Sequence, residues 1–273
     1  MDVDDRRPDT HIMLDLGLAT SRAGDDVRGV ATVVPEMWVP GTTSLRTSIL
    51  ASWVDHVCGL AAIGVLAPRV PVTLELDVHV YDRLPADGSI HATARVLKAG
   101  RSVVVCGVDV TDGDGAPVGI GNASFMAAPD PGVTLPDGLT DDVMARTPGR
   151  LRVPFAERAS CERRAPGVAV LRRSEDGLNA AGTVNGGLIA LLVEEAALSL
   201  APGQILTSMA LRYLRAVRTG PAVATATERT GLARVEVRDE GGDDRPVVTG
   251  TTRATRNGPE SSDVLALHRG EKT

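Results

Sequence analysis

Hydrophobic and polar positions along this chain fall into two stretches that read alike. From Ser48 to Val65 an apolar run is interrupted by only two ionisable residues, Asp55 and His56, and it ends before Pro68. A run of that length without strict alternation predicts a buried helix, with Ser44 or Thr47 as its cap. Pro71 to Tyr81 alternates, with Val72, Leu74, Leu76, Val78 and Val80 on one face, and predicts a half-buried strand. Further strands are expected at Val27–Val34, Ser89–Leu97, Ser102–Thr111 and Pro117–Ala127, with Asp112-Gly113-Asp114-Gly115 as a hairpin turn. A second apolar run opens at Asn185-Gly186-Gly187, passes Glu194 and reaches Leu200. A strand ending at Tyr213 follows it, then strands broken at Arg229-Thr230-Gly231-Leu232 and at the polar hairpin from Asp239 to Gly242.

The second series repeats the first element for element. Asp55 and Glu194 are 139 residues apart, Tyr81 and Tyr213 are 132 apart, Gly100 and Gly231 are 131 apart, and the Pro-Val pairs at 117 and 246 are 129 apart. So smooth a drift needs only short loop differences, which predicts two copies of one domain. The 273 residues are enough for both. The expected domains are 1–135 and 136–273, with a linker and lead-in rich in Pro, Gly, Asp and Arg over about 129–166, and a loose polar tail after about 257. One helix followed by an antiparallel meander is an α+β plan in which the sheet wraps the helix.

Composition narrows the picture. Aromatic residues make up only 2% of the chain, so the cores must be built from Val, Leu, Ile and Ala. A net charge of -6 without a dominant basic cluster argues against a nucleic-acid partner. Cys58, Cys106 and Cys161 make an odd count without metal-ligand spacing, which predicts reduced thiols, no metal and a cytoplasmic protein. The acidic start Met1-Asp2-Val3-Asp4-Asp5 is unlike a secretory signal. Asp55 and His56 at the centre of the first run weigh against a membrane span, since ionisable groups are costly in lipid.

The chemistry concentrates at the start of the second helix, where Asn179 stands six residues before Asn185-Gly186-Gly187, and Glu194 follows nine residues after Asn185. Glycine lets a thioester carbonyl approach the backbone, and an N–H at a helix amino terminus lies at the positive end of the dipole, so the Gly186 amide makes an oxyanion site beside Gly187. A carboxylate would attack the polarised carbonyl or activate water against it. Gly186 and Glu194 are about 12 Å apart along the helix, too far to share one carbonyl, so the carboxylate must come from elsewhere.

The spacing resembles that of the phenylacetate-pathway type of acyl-CoA thioesterase, in which an Asn is followed six residues on by His-Gly-Gly, and nine residues after that His by Asp or Glu. Asn185 stands in place of the His. The resemblance implies a double-hotdog protein, in which two tandem hotdog domains, each an antiparallel sheet wrapped around one helix, pair as a pseudo-dimer. It also implies antiparallel helices, each site borrowing its carboxylate from the other half. The better-formed site then combines Asn179, Asn185 and Gly186 with Asp55. The reciprocal site combines Glu194 with Arg46-Thr47-Ser48, which lacks both glycines and is expected to be degenerate, with Pro40 in place of the Asn. Lys98, Arg101, Arg229 and Arg234 stand where similar proteins bind coenzyme A phosphates, and Thr207 and Ser208 where they place a hydroxyl that holds water. Trp53, Leu60, Leu192 and Met209 are expected to line an acyl tunnel.

Hydrolysis of an acyl-CoA, with no cofactor and no membrane, is the leading expectation. Further association of the fused pair stays open. A non-catalytic acyl-CoA binder is the alternative, and a hotdog hydratase or dehydratase ranks below it because both helix starts lack a His.

Overall fold

A computed structural model describes residues 11–82, 84–135, 138 and 149–256. The first half runs α1 (Ile12–Asp15), β1 (Ala19–Ala23), β2 (Asp26–Thr32), α2 (Thr47–Leu66), β3 (Pro71–Val80), β4 (Ser89–Ala99), β5 (Val104–Asp112) and β6 (Pro117–Ala127). The second half repeats it as α3 (Phe155–Arg158), β7 (Cys161–Ala165), β8 (Val168–Leu171), α4 (Gly186–Ser199), β9 (Gln204–Tyr213), β10 (Ala222–Arg229), β11 (Leu232–Asp239) and β12 (Pro246–Arg256).

All twelve strands form one antiparallel sheet in the order β1-β2-β4-β5-β6-β3-β9-β12-β11-β10-β8-β7. The order reads the same from either end once each strand is exchanged for its repeat partner. At the junction of β3 and β9, Asp77 pairs with Ala210 and Val78 with Met209. A half-turn through the Asp77–Ala210 pair carries Leu76 onto Met209 and Val78 onto Leu211, all four of them buried. Joining β3 to β9 hides an edge from each half, the expected remedy for exposed backbone hydrogen-bonding groups. Arg212 bridges the seam to Asp77 and Glu75.

Both long helices are apolar around nearly their whole circumference because sheet covers one side and the other helix covers part of the rest. Ile49, Leu50, Trp53, Val54, Val57 and Cys58 of α2 are buried, as is α4 from Gly187 to Leu198. By length and composition alone Thr47–Leu66 could cross a membrane. Here it is the core helix that the wrapped sheet encloses. This is the hotdog fold, an α+β arrangement of sheet around helix.

The first-half lead-in forms α1 and β1, and His11 anchors it: Nδ1 accepts from the Met13 N–H, while Nε2 donates to the Leu178 carbonyl of the second half at 2.7 Å. Two local expectations need correction. The N-cap of α2 is Arg46, while Thr47 is the first helical residue and donates its hydroxyl to the Leu206 carbonyl at 2.6 Å. The alternation of β3 is broken by a β-bulge at Leu74, between Thr73 and Glu75. The tail after 257 lies outside the described residues, as do 136, 137 and 139–148, directly after the expected domain boundary.

Candidate active site

Asn185 caps α4. Its backbone is extended, and its side-chain oxygen accepts from the Gly187 N–H at 2.8 Å. Asn185, a candidate catalytic residue by sequence, thus uses its side-chain oxygen to build the helix start. Gly186 is then the first helical residue, with no intrahelical acceptor for its N–H. The two glycines answer to crowding. A Cβ on Gly187 would lie 2.3 Å from the Ser52 hydroxyl of α2, and one on Gly186 would lie 3.2 Å from the Tyr213 hydroxyl and 3.3 Å from Asp55 Oδ2. The carboxylate of one half and the helix start of the other therefore meet, the arrangement that the resemblance implies.

Asp55 is held by the Thr73 hydroxyl, which donates to Oδ1 at 3.0 Å and leaves Oδ2 on the Gly186 side. Simple alternation assigns Thr73 to the outer face of the sheet. The bulge at Leu74 turns it inward, directly opposite buried Phe125 of β6. The corresponding bulge in β9 falls at Thr207. It leaves buried Leu206 as the counterpart of Thr73. Alternation from buried Met209 and Leu211 puts Ser208 on the outer face, where its hydroxyl pairs with His79 Nδ1 at 2.8 Å and does not border the cavity expected to use it.

Tyr213 closes another side, donating its hydroxyl to the Gly186 carbonyl at 3.1 Å. Burial first, and then the Asp55 charge, hold this phenol well above its ordinary pKa, so it remains a neutral donor. Asn179 shapes the loop before α4. Its side-chain oxygen accepts from the Ala181 N–H at 3.0 Å and from the Thr183 N–H and hydroxyl, both at 3.1 Å, which leaves its amide NH2 to donate.

Asp55, Thr73, Asn179, Gly186 and Tyr213 border a cavity of about 610 Å³. From this polar end an apolar arm runs into the first half between α2 and the sheet, past Leu18, Leu60, Ile63 and Phe125. Of the expected tunnel residues, Trp53 and Leu60 border it, whereas Leu192 and Met209 are buried elsewhere in the core. Lys98, Arg101, Arg229 and Arg234 are exposed but stand away from the cavity. Two other cations edge it, Arg215 and Arg218, in the short connection from β9 to β10. Buried Asp239 clamps that connection by accepting from the N–H groups of Arg218, Thr219 and Gly220 at 2.8, 3.1 and 2.7 Å.

The reciprocal position is shut. Arg46 occupies the place of Asn185 and reaches Glu194 Oε2 at 3.0 Å, while the Ser48 hydroxyl donates to the same oxygen at 2.6 Å and the Ser48 N–H to Oε1 at 3.3 Å. Arg46 Nη2 also lies 2.7 Å from Glu195 Oε1, poorly aligned for a hydrogen bond, and Arg163 Nε donates to Glu195 Oε2 at 2.6 Å. Arg46 and Glu194 are both 0% exposed. Burial acts to lower the Arg46 pKa, but Glu194 and Glu195 outweigh it, and the guanidinium is held above its ordinary value. Glu194, a candidate catalytic residue by sequence, is the acceptor of an internal ion pair and does not border the cavity. Among the described residues no cluster of His, Cys, Asp or Glu could hold a metal ion.

Residues 48–118, spanning α2 through β5 and containing both Asp55 and Thr73, match the family model of the thioesterase superfamily. No curated protein matches the chain. Among solved structures, an acyl-ACP thioesterase from Bacteroides thetaiotaomicron superposes with a TM-score of 0.60 at 15% identity, covering 85% of this chain and 98% of that one. A 12:0-ACP thioesterase from Umbellularia californica also gives a TM-score of 0.60, at 14% identity, covering 86% of this chain and 99% of the other. At such identities the likeness is one of fold.

Proposed function

We propose that this chain hydrolyses an acyl-CoA thioester at a single composite site formed by Asp55 of the first half and the α4 start of the second. The observation that carries this reading is the approach of Asp55 Oδ2 to 3.3 Å from the position a Gly186 Cβ would take, at the polar end of an otherwise apolar cavity. A thioester carbonyl resting on Gly186 has an N–H at the positive end of a helix for its oxygen and a carboxylate for its carbon. Asp55 takes a proton from water as the water oxygen bonds to the carbonyl carbon, and the Gly186 N–H holds the developing oxyanion. Collapse breaks the C–S bond. The leaving thiol, with a pKa of about 8.5 by analogy with Cys, departs as a thiolate and needs no strong acid.

The Asn179 to Asn185-Gly186-Gly187 spacing of the phenylacetate-pathway thioesterases supports the same reading, as does the superfamily match across α2 and β3. Asn185 replaces the His of that pattern, and its capping of α4 preserves the helix start without an imidazole. Arg215 and Arg218, at the rim, are the cations suited to coenzyme A phosphates, in place of the four expected from the sequence.

The test is turnover of an acyl-CoA panel by the full chain, with released thiol read by a colorimetric reagent. Turnover that disappears in Asp55→Ala supports the proposal. Tight acyl-CoA binding by the wild type without thiol release makes the protein a binder and overturns it.

A further inference from the structure

Along α2, Asp55, Gly59 and Ile63 are spaced four residues apart, so they follow one another on one helix face. All three are only partly buried, while Val54, Val57, Cys58, Leu60, Ala61 and Ala62 around them are buried. All three also border the cavity. Gly59 is the narrowest point of this wall in side-chain terms. A Cβ built on it would meet only Phe125 Cε1, at 4.0 Å, and otherwise open space. Neither a positive φ nor close backbone packing calls for glycine there, and glycine inside a helix costs stability relative to alanine.

The other half supplies a comparison within the molecule. With the 139-residue offset that relates Asp55 to Glu194, Gly59 corresponds to Leu198, which is 2% exposed, and α4 is buried at Glu194, Glu195 and Leu198 alike. Where the helix face carries a leucine, the space beside it is filled. Where it carries glycine, an apolar arm lies open.

We infer that Gly59 is the specificity-determining residue of the cavity, holding open a channel for a straight acyl chain of medium or greater length. This rests on the hydrolysis reading for its substrate. The carbonyl at Gly186 and Asp55 starts the chain, Gly59 stands about 6 Å further along the α2 axis, and Ile63 about 12 Å, at the standard helical rise. A short acyl group ends before Gly59. A longer one must pass over it, and any side chain there would take its place against Phe125.

The experiment compares the full-length wild type with Gly59→Ala and Gly59→Leu, the latter copying Leu198. Alanine is favoured over glycine in a helix, so Gly59→Ala gives a folded variant even if leucine overpacks. For each protein kcat/KM is measured with acetyl-CoA and lauroyl-CoA, and binding of a fluorescent fatty acid is measured separately. The lauroyl-to-acetyl ratio should fall roughly tenfold or more in Gly59→Leu, with Gly59→Ala between, as expected for a pocket that gains several carbon atoms. Fatty-acid binding should weaken in the same order. An unchanged ratio and unchanged fatty-acid binding in both variants overturn the inference, whatever the wild-type activity. A wild type without thioester turnover, whose fatty-acid binding is lost in Gly59→Leu, keeps the channel and removes only the hydrolysis reading.

Discussion

Asp55 and Glu194 occupy equivalent places in the two halves, yet their surroundings predict opposite consequences of removal. Glu194 is 0% exposed and accepts from Arg46 at 3.0 Å, the Ser48 hydroxyl at 2.6 Å and the Ser48 N–H at 3.3 Å. Glu194→Ala leaves the buried Arg46 charge with only the misaligned contact to Glu195, and breaking one partner of a buried pair costs about 3–5 kcal/mol. In a chain of this size about 1 kcal/mol moves Tm by roughly 2–4 °C, so a fall on the order of 10 °C is expected. Asp55 is only partly buried and borders the cavity, so Asp55→Ala strands no fully buried charge and its melting temperature should fall by less than that of Glu194→Ala. Activity should run the other way: Asp55→Ala loses thioester turnover, while Glu194→Ala, assayed well below its lowered Tm, retains most of it. Thermal melts and thiol-release rates on both purified variants make the comparison. Abolished turnover in a Glu194→Ala protein with near-normal Tm, or sustained turnover in Asp55→Ala, would falsify the assignment of one working site.

Three further outcomes follow from the same geometry. Thr73→Val removes the donor to Asp55 Oδ1 and should lower kcat about tenfold, with Thr73→Ser restoring most of it; equal rates in the valine and serine variants would show that the hydroxyl is not used. Replacing Arg215 and Arg218 with Ala should raise the KM for acyl-CoA more at low than at high ionic strength, and an effect independent of salt would exclude a phosphate contact at the rim. Burial, and then the Glu195 charge, push the Cys161 thiol from 9.0 up to about 12. Below pH 9 both folded and unfolded chains keep this proton and the contribution is intact. Between pH 9 and 12 only the unfolded chain loses it, so stability falls by about 1.4 kcal/mol per pH unit from this group. Melts of Cys161→Ala across that window should be less pH-dependent than wild type, and parallel curves would refute the claim.

Much of the architecture was legible in the chain. Both core helices are long apolar runs, and their ends and the strands after them differ from expectation by one or two residues over most of the fold. That Gly186 takes its carboxylate from outside its own helix was also legible, because Glu194 lies about 12 Å along the axis, while the choice of Asp55 came from the family resemblance. Thr73 was overlooked because period-2 alternation is reliable only while a strand stays regular, and the bulge at Leu74 is not marked by any residue type. Ser208 was selected from the family resemblance, and its outward face, shared with His79, keeps it from the cavity. The phosphate-binding candidates at the β4–β5 and β10–β11 turns followed the family resemblance, but in both copies those turns lie away from the cavity, which Arg215 and Arg218 border instead.

By itself, the order of amino acids determined the duplication, the two enclosed helices, and a glycine-bearing helix start without an acid of its own within reach. These are local or periodic properties, written in spacing and hydrophobicity. The missing glycines of Arg46-Thr47-Ser48 also marked that helix start as the degenerate one. Only the tertiary structure decided what closes it and what furnishes the other: Arg46 crosses to Glu194 and fills one site with an ion pair, while Gly59 and the inward-turned Thr73 leave room and a held carboxylate at the other. Such choices depend on side chains more than a hundred residues apart meeting in a space from which water is excluded, and contacts of that range leave no period in a sequence.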